Sequence, residues 1–526
     1  MNRRKFLKNT ASAAAIAAAA PTVTNVFGGM PVYARTPWQN LGLAAQDNDN
    51  ILIVIQMFGG NDGLNTIIPA EDDTYHQIRT NIGVPKAKAK RVLGSDVFMH
   101  PALVDKVHKN GLLGLIDNGR LAIIQGVGYE NPNLSHFRST DIWLSGLNSS
   151  DPNVRLHDGW LGRHFAKTLP DFPTEIPEHP VCVQVGGALS LMFQSEKGDM
   201  GIALTDPDKF FELGAGLSPD EEPIAGNSAY AEEFNYIRTI AEQSDTYSKV
   251  VKTAFDKGEN KLTYAAGFAQ QMRLIAKLIS GGLKSKVYMV SMGGFDTHVQ
   301  QQRGDMTGAH PALLTALAQG ISQFMDDAVQ QGFANRVVGL TVSEFGRRPY
   351  ENGSFGTDHG AASVQFVFGT NVNPGNYGKT PDLKNLNSNG DLNFDVDYRR
   401  VYSEVLQTWF GATEADAIDV LGEKLAPLGV LQKPTSVSDD ISFKNSLHVS
   451  PNPSFGDAKI SFKASISGAA DIAIYTLDGK RVMSVHNGFL AAGSYTFPVN
   501  FAQAGAYLCI VKTDAGQMSA KVAVLK

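Results

Sequence analysis

The stretch ILIVIQMFGGNDGLN (Ile51–Asn65) joins a continuous apolar run to a glycine-rich turn that presents the carboxylate of Asp62. An apolar run without polar alternation is typical of a strand that is covered on both faces of its sheet. Further runs of this kind are LAIIQGVG (121–128), VCVQV (181–185), KVYMVSM (286–292), RVVGLTV (336–342) and VQFVFG (364–369). Amphipathic helical patterns, such as His310–Gly332, lie between them. This alternation predicts an α/β fold with a largely parallel sheet.

The first residues have the layout of an export signal. Residues 1–30 contain a basic head and a stretch of small apolar residues that is too short to span a membrane. Arg3 and Arg4, within RRKFLK, match the twin-arginine type of signal, with an ordinary secretion signal as the alternative. We therefore expect the twin-arginine export machinery to be a partner, and we expect no transmembrane segment.

The remaining residues divide by pattern into two domains. A polar linker (31–50) precedes the α/β domain (51–427), and a second linker (428–446) follows it. Residues 447–526 then show short alternating strands separated by turn signals, which predict a small all-β sandwich.

Composition excludes some classes of function. The chain has 526 residues, of which 43% are hydrophobic, and a net charge of -6, so it lacks the basic surplus of a nucleic-acid-binding protein. Its two cysteines, Cys182 and Cys509, lie in separate apolar runs, which indicates buried thiols rather than a disulfide framework.

Acidic residues follow three of the predicted strands. Asp62, Asp296 and Glu344 each come directly after an apolar run, and His298 lies two residues beyond Asp296. Ligands of open α/β sheets bind outside the carboxyl ends of the strands, so we expect these side chains to meet. Mixed carboxylate and imidazole donors suit divalent ions such as Zn, Mn, Mg or Ca. Each of these residues also has a structural alternative. Asp62 would be a helix cap, His298 a hydrogen-bonded loop residue, and Glu344 a surface partner of Arg347 or Arg348.

A serine stands at the predicted start of a helix in GVGYENPNLSHFRST. Backbone N–H groups and the helix dipole at this position would suit Ser135 to the role of a nucleophile that carries an anionic group. A plain helix cap is the more common role of such a serine. His136 and Arg138 would then orient or neutralise an anion, or they are ordinary surface residues.

The motifs GGNDGLN, HPAL, GVGYENPNLSHF, DGWLGRH, GGFDTHVQQ, SEFGR and NGSFGTDHG occur in this order over roughly Ile51–Gly411. They resemble a family of secreted bacterial proteins known as domain of unknown function 1501, which is similar to the alkaline phosphatase-like superfamily. The resemblance implies a layered sheet with helices on both faces and two divalent metal ions at the strand ends. It also implies that Ser135 is the nucleophile.

The same resemblance assigns ligands. It implies that Asp62, Asp296, His298 and Glu344 bind the metal, and that Asp358 and His359 supply the last ligands. The sequence departs from the family pattern at two positions. Phe345 follows Glu344 where an imidazole ligand is expected, and His298 lies closer to Asp296 than the usual spacing.

These departures leave two functions open. One is a metal-dependent hydrolase of phosphate or sulfate esters. The other is a non-catalytic surface protein that keeps the fold to bind an anionic small molecule, a glycan or a protein partner.

The last residues carry a second resemblance. The segments SPNPSFGDAKISF, IYTLDGKRV, GSYTF, AGAYLCIVKT and KVAVLK are similar to the type A sorting domain of the type IX secretion system. This resemblance implies the type IX secretion machinery as a partner and a secreted or surface-attached protein. A carbohydrate-binding sandwich is the alternative, which the scattered placement of the aromatic residues disfavours.

Overall fold

The computed structural model describes residues 49–92, 95–104, 108–109, 111–214, 222–226, 228–432, 447–464, 468–476, 480–491, 493–513 and 516–525. The predicted signal peptide (1–30) and nearly all of the linker at 31–50 lie outside the described residues, as does most of the second linker. The twin-arginine signal therefore stays a prediction. The described residues form two compact units, one up to residue 432 and one from residue 447.

The strands and helices of the described residues follow in chain order. The strands are β1 (Ile51–Met57), β2 (Ile67–Ile68), β3 (Lys90–Arg91), β4 (Phe98–Met99), β5 (Leu121–Gly128), β6 (Cys182–Val185), β7 (Gln194–Ser195), β8 (Gly198–Asp199), β9 (Gly201–Leu204), β10 (Val287–Met292), β11 (Val337–Val342), β12 (Gly346–Arg347), β13 (His359–Gly360), β14 (Ser363–Gly369), β15 (Gly375–Tyr377), β16 (Val396–Asp397), β17 (His448–Ser450), β18 (Asp457–Ala464), β19 (Gly468–Thr476), β20 (Arg481–Leu490), β21 (Gly493–Asn500), β22 (Gly505–Thr513) and β23 (Gly516–Val524). The helices are α1 (Gly63–Thr66), α2 (Asp73–Ile78), α3 (Gly111–Asp117), α4 (His136–Ser145), α5 (Trp160–Thr168), α6 (Pro207–Gly214), α7 (Ala229–Lys257), α8 (Phe268–Ser280), α9 (Ala309–Gln331), α10 (Arg399–Glu404) and α11 (Glu414–Leu421).

A mixed sheet forms the centre of the first unit. Its strand order is β15-β5-β14-β11-β1-β10-β6-β9, and β16 lies beside β5. Every pairing is parallel except the two that β14 makes, with β11 and with β5. All six apolar runs that the sequence analysis assigned to strands are strands of this sheet, so the predicted α/β fold class is confirmed.

Both faces of the sheet are covered. Along β1, Ile51, Ile53 and Ile55 belong to one apolar cluster, whereas Leu52 and Val54 belong to another. Helices α3, α8 and α9 contribute to the first cluster, and α4, α5, α10 and α11 contribute to the second. Because successive side chains of a strand point to opposite faces, a strand between two helical layers must be apolar at every position.

The reversed strand β14 determines which loops meet at one edge of the sheet. The strands β1, β10 and β11 are parallel, so their carboxyl ends finish together at what we call the strand-end edge. Since β14 pairs with β11 in the antiparallel sense, its amino end comes to that same edge. The strand β13, which holds His359 and directly precedes β14, therefore approaches the carboxyl ends of strands that are distant in sequence.

The second unit is built from two antiparallel sheets, as the sequence predicted. Their strand orders are β17-β18-β21 and β20-β19-β22-β23. Ile460 from the first sheet and Ile472 and Val511 from the second share one buried core. Cys509 is buried in this unit and Cys182 in the other, and both are free thiols. Among the described helices, none combines the length and apolar character needed to cross a bilayer.

Gly339 in the middle of β11 provides a test of the packing between strands. A Cβ atom at this position would lie 2.0 Å from Cζ of Phe368, which is fully buried on β14. Gly339→Ala should destabilise the first unit by about 1–3 kcal/mol, because overpacking forces the ring out of its place. Urea unfolding followed by tryptophan fluorescence measures this, since all four tryptophans precede residue 447.

Gly187→Ala is the matched control, because nothing lies within 4 Å of a Cβ atom built there. Equal unfolding midpoints for the two variants would contradict the packing described for Gly339.

Candidate functional site

Hydrogen bonds join the loops that leave β1 and β11. The backbone N–H of Gly59 donates to Oε1 of Glu344 at 2.7 Å, and the N–H of Asn61 donates to Oγ of Ser343 at 2.8 Å. Oγ of Ser343 in turn donates to the carbonyl of Met57 at 3.0 Å. The acidic strand ends therefore come together at the strand-end edge.

The guanidinium group of Arg347 occupies the middle of these loops. It donates from Nη2 to Oδ1 of Asp296 at 2.6 Å, from Nε to the carbonyl of Gly60 at 2.9 Å and from Nη1 to the carbonyl of Thr357 at 2.8 Å. Nη2 also donates to the carbonyls of Gly59 and Phe295. The side chain has no exposed area, so the surface role considered for Arg347 is wrong. The strand ends leave carbonyl groups in need of donors, and a guanidinium supplies five N–H groups to them.

The glycine pair before Asp62 makes this arrangement possible. Gly59 and Gly60 have positive φ angles of 123° and 83°. A Cβ atom on Gly59 would lie 2.2 Å from the backbone nitrogen of Asp296, and one on Gly60 would lie 2.5 Å from the ring of Phe345. The pair thus lets the backbone pass close to its neighbours and turn both carbonyls toward Arg347.

Asp296 and three histidines converge at this edge, and we call them the histidine cluster. Nε2 of His359 and Nε2 of His298 each lie 3.2 Å from Oδ1 of Asp296, and these two nitrogens are 3.0 Å apart. Nε2 of His136 lies 3.5 Å from Oδ2 of Asp296. Burial alone would raise the pKa of Asp296, but the hydrogen bond and charge of Arg347 bring it down to about 2, so the side chain is a carboxylate.

The other ring nitrogen of each histidine faces an oxygen. Nδ1 of His136 lies 2.8 Å from Oε1 of Glu344, and Nδ1 of His298 lies 3.1 Å from Oδ1 of Asp358. Nδ1 of His359 lies 2.9 Å from the carbonyl of Leu134, which can only accept. Each Nδ1–H therefore donates outward, and in the neutral ring Nε2 keeps a lone pair that is directed at the cluster. Burial lowers the pKa of His359, which favours that neutral form.

This donor set fits a divalent metal ion. One donor atom each from His136, Asp296 and His359 lie within 4.8 Å of one another. Metal-binding histidines characteristically donate their second N–H to a carboxylate or a backbone carbonyl, as the three histidines of the cluster do here. Nε2 of His298 and Nε2 of His359 lie 3.0 Å apart, a distance that requires either a proton or a cation between the two lone pairs.

The predicted metal ligands separate into two groups. Asp296, His298 and His359 lie in the histidine cluster, whereas Glu344 and Asp358 lie behind it as hydrogen-bond acceptors for the imidazoles. His136, expected from the sequence to bind an anionic substrate, lies among the donors instead. The imidazole that contacts Glu344 is that of His136, at the start of α4.

Asp62 lies apart from the cluster. Its Oδ2 accepts from Nη1 of Arg79 at 2.6 Å and from Nε2 of Gln301 at 2.5 Å, and its Oδ1 accepts from the backbone of Asn65 at 3.3 Å. The side chains of Asp62 and Arg79 have no exposed area. Burial would raise the pKa of Asp62, but the adjacent Arg79 holds it below its usual value, so the two form a buried ion pair.

Ser135 and Arg138 occupy different surroundings. Ser135 is exposed at the N-cap of α4, and its side chain makes no capping hydrogen bond. Its neighbour His136 belongs to the cluster, and the carbonyl of Leu134 faces His359, so Ser135 is held beside the metal candidates. The guanidinium of Arg138 donates instead to loop carbonyls, including that of Ser149 at 2.9 Å, and is not directed at the cluster.

Two residues outside the sequence-based predictions support the site. Arg347 joins the loops as described, and Gln301 connects Asp62 to the segments that carry Thr297 and Thr357. Oε1 of Gln301 accepts from Oγ1 of Thr297 at 3.0 Å and from Oγ1 of Thr357 at 2.6 Å. No local pattern marks either residue, because each acts on partners that are distant in sequence or identified only by the fold.

Backbone strain accompanies the segments around the cluster. Asn131, Gln300 and Phe355 are non-glycine residues with φ angles of 53°, 47° and 57°. They lie in the segments that carry Ser135, His298 and Asp358, respectively. Such conformations cost free energy and concentrate at functional sites, which agrees with the position of the cluster.

Several solved structures are similar to this chain at low identity. A sulfatase from Pseudoalteromonas sp. is 9% identical with a TM-score of 0.30, over 88% of this chain and 83% of that chain. A protein in the alkaline phosphatase superfamily from Vibrio parahaemolyticus is 7% identical with a TM-score of 0.31, over 85% of this chain and 78% of that chain. At these values the similarities carry no argument about chemistry. No curated protein matches the chain.

Family models match both units of the chain. Residues 448–525 match the model described as a secretion system C-terminal sorting domain. The protein is therefore exported, either secreted or held at the cell surface, and its sorting domain implies the type IX secretion machinery as a partner. Residues 127–422, more than half of the chain, match the model described as protein of unknown function, DUF1501. The chain belongs to the DUF1501 family.

Proposed function

We propose that this exported protein is a metal-dependent hydrolase of phosphate or sulfate esters. The observation that carries the proposal is the convergence of three imidazole Nε2 atoms on Asp296, beside an exposed serine at the start of a helix. Among the ions considered, Zn or Mn suits these donors better than Mg or Ca, because imidazole is a ligand of the transition metals.

His136, His298, His359 and Asp296 would hold the ion in this proposal. A divalent ion there would polarise an ester oxygen and stabilise the negative charge that develops during cleavage. Glu344, Asp358 and the carbonyl of Leu134 orient the three rings by accepting their Nδ1–H groups. Such orienting partners set the tautomer and raise the basicity of the ligands.

Ser135 is the nucleophile in the proposal. Its Oγ attacks phosphorus or sulfur as the hydroxyl proton passes to solvent, the bond from phosphorus or sulfur to the ester oxygen breaks, and that oxygen takes up a proton and leaves as the alcohol. Water then attacks the phosphorus or sulfur on the serine, which returns a proton to Oγ and releases phosphate or sulfate. The free backbone N–H groups at the start of α4, which has 10 residues, favour an anion at this position. The absence of a capping hydrogen bond leaves the Ser135 hydroxyl uncommitted.

The alternative is a non-catalytic surface protein that binds an anionic glycan or a protein partner. Phe345 favours it, because an apolar ring stands at a position where the family resemblance expects an imidazole. The Phe345 ring lies 4.4 Å from the ring of His359 and 4.8 Å from that of His136, measured between centroids. Turnover measurements distinguish the two functions.

Replacing Ser135 tests the nucleophile. Ser135→Ala should lower the turnover of an aryl phosphate or aryl sulfate by about 1,000-fold or more, because the attacking oxygen is lost. It should leave the unfolding midpoint unchanged, because the Ser135 side chain makes no capping bond. Steady-state kinetics and urea unfolding of the same preparation provide both measurements.

Ser228 is a matched control at another helix start. Oγ of Ser228 accepts from the N–H of Ala231 at 3.2 Å and caps α7. Ser228→Ala should cost about 1 kcal/mol of stability and leave turnover unchanged. Undiminished turnover in Ser135→Ala would remove Ser135 from the mechanism.

Replacing His359 tests the metal ligands. His359→Ala should weaken zinc binding by more than about 100-fold, because the loss of a ligand exceeds the effect of losing one of its orienting partners. Competition with a chelating dye measures the affinity. The exposed His157 is the control, and His157→Ala should bind zinc as the unmodified protein does. Equal affinities of the two variants would contradict the assignment of His359.

A further inference from the structure

Asp62 and Asp296 each follow a glycine pair in sequence, and each forms an ion pair with a buried arginine. Nη1 of Arg79 lies 2.6 Å from Oδ2 of Asp62, and Nη2 of Arg347 lies 2.6 Å from Oδ1 of Asp296. The side chains of both arginines have no exposed area. An arginine stays charged under all ordinary conditions, so each pairing places a permanent positive charge beside a predicted metal ligand.

Both oxygens of Asp62 already accept hydrogen bonds. Oδ1 accepts from the backbone of Asn65, and Oδ2 accepts from both Arg79 and Gln301. Binding an ion through Oδ2 of Asp62 would break this ion pair and leave Arg79 without its carboxylate partner in the interior. Removing one partner of a buried ion pair is strongly unfavourable.

Arg347 likewise engages one oxygen of Asp296. Its guanidinium donates to Asp296 and to four backbone carbonyls, so it is fixed in place. Oδ2 of Asp296 is not bound by Arg347, and it lies 3.5 Å from Nε2 of His136. The ring nitrogens of His136 and His359 and this carboxylate therefore provide one set of metal donors.

The other carboxylates at the edge do not complete a second set. Oε1 of Glu344 accepts from Gly59 and His136, and Oδ1 of Asp358 faces His298. Oε2 of Glu344 is buried without a hydrogen-bond partner. Together with Oδ2 of Asp358 this leaves two oxygens, which do not complete a site, because divalent ions in proteins take four or more ligands.

We infer that the histidine cluster holds one divalent ion, and that the guanidinium groups of Arg79 and Arg347 replace the charge of a second one. This inference rests on the proposed metal-dependent function, and it departs from the two ions that the family resemblance implies. The two arginines neutralise Asp62 and Asp296 without any exchangeable ion.

The metal content of the unmodified protein tests the inference directly. The purified protein is loaded with zinc, dialysed against metal-free buffer and analysed by mass spectrometry for zinc per chain. We expect one equivalent. Two equivalents would overturn the inference while leaving the proposed function intact. No bound zinc would overturn the proposed metal dependence, and the inference with it.

A pair of variants locates the ion. Asp296→Asn should reduce the zinc bound after dialysis to well below one equivalent. The double variant Asp62→Asn with Arg79→Gln should keep one equivalent, because it replaces the ion pair by a neutral pair that can still form hydrogen bonds. Circular dichroism verifies that the double variant is folded. Loss of zinc from the folded double variant would overturn the inference, since it would make Asp62 a ligand.

Discussion

The buried guanidinium of Arg347 is the interaction on which the strand-end edge depends. Parallel strands leave carbonyl groups unsatisfied where they end, and water does not reach those carbonyls in a buried edge. The planar fork of Arg347 donates to carbonyls of the loops after β1 and β10, and to the carbonyl of Thr357 before β13. Because one group contacts three loops at once, their relative positions are fixed. The same group holds Asp296 and keeps its pKa near 2.

A second set of buried polar contacts orients the residues that the loops carry. Gln301 links Thr297, which lies between Asp296 and His298 in sequence, with Thr357, and it anchors both to the ion pair of Asp62 and Arg79. These side chains are fully or almost fully buried, and their hydrogen bonds satisfy one another. A satisfied network of this kind restricts the rotation of its own side chains and fixes the segments that carry Thr297 and Thr357.

The topology of the sheet brings the parts of this edge together. The cluster contains a helix start, a loop after β10 and a short strand before β14, which are far apart in the chain. They meet because β1, β10 and β11 are parallel, whereas β14 runs in reverse and delivers His359 from its amino end. The family resemblance placed Asp358 and His359 at the site, but the reversal of β14 is the physical reason that they reach it.

The exported nature of the protein comes from a separate part of the chain. Residues 448–525 match a sorting domain and form two antiparallel sheets with their own core, so this unit does not depend on the chemistry of the first one.

The main strands, the fold class and the acids at the strand ends were predictable from the sequence. These features are local, because continuous apolar runs and the turns that follow them are contiguous in the chain. The partners of those acids were not predictable, because they come from the packing of distant segments. Arg79 lies 17 residues from Asp62, and Arg347 lies 51 residues from Asp296, so no local pattern links them. Whether an aspartate binds a metal or an arginine depends on which charge the fold brings within 3 Å, and that is a property of the packed chain.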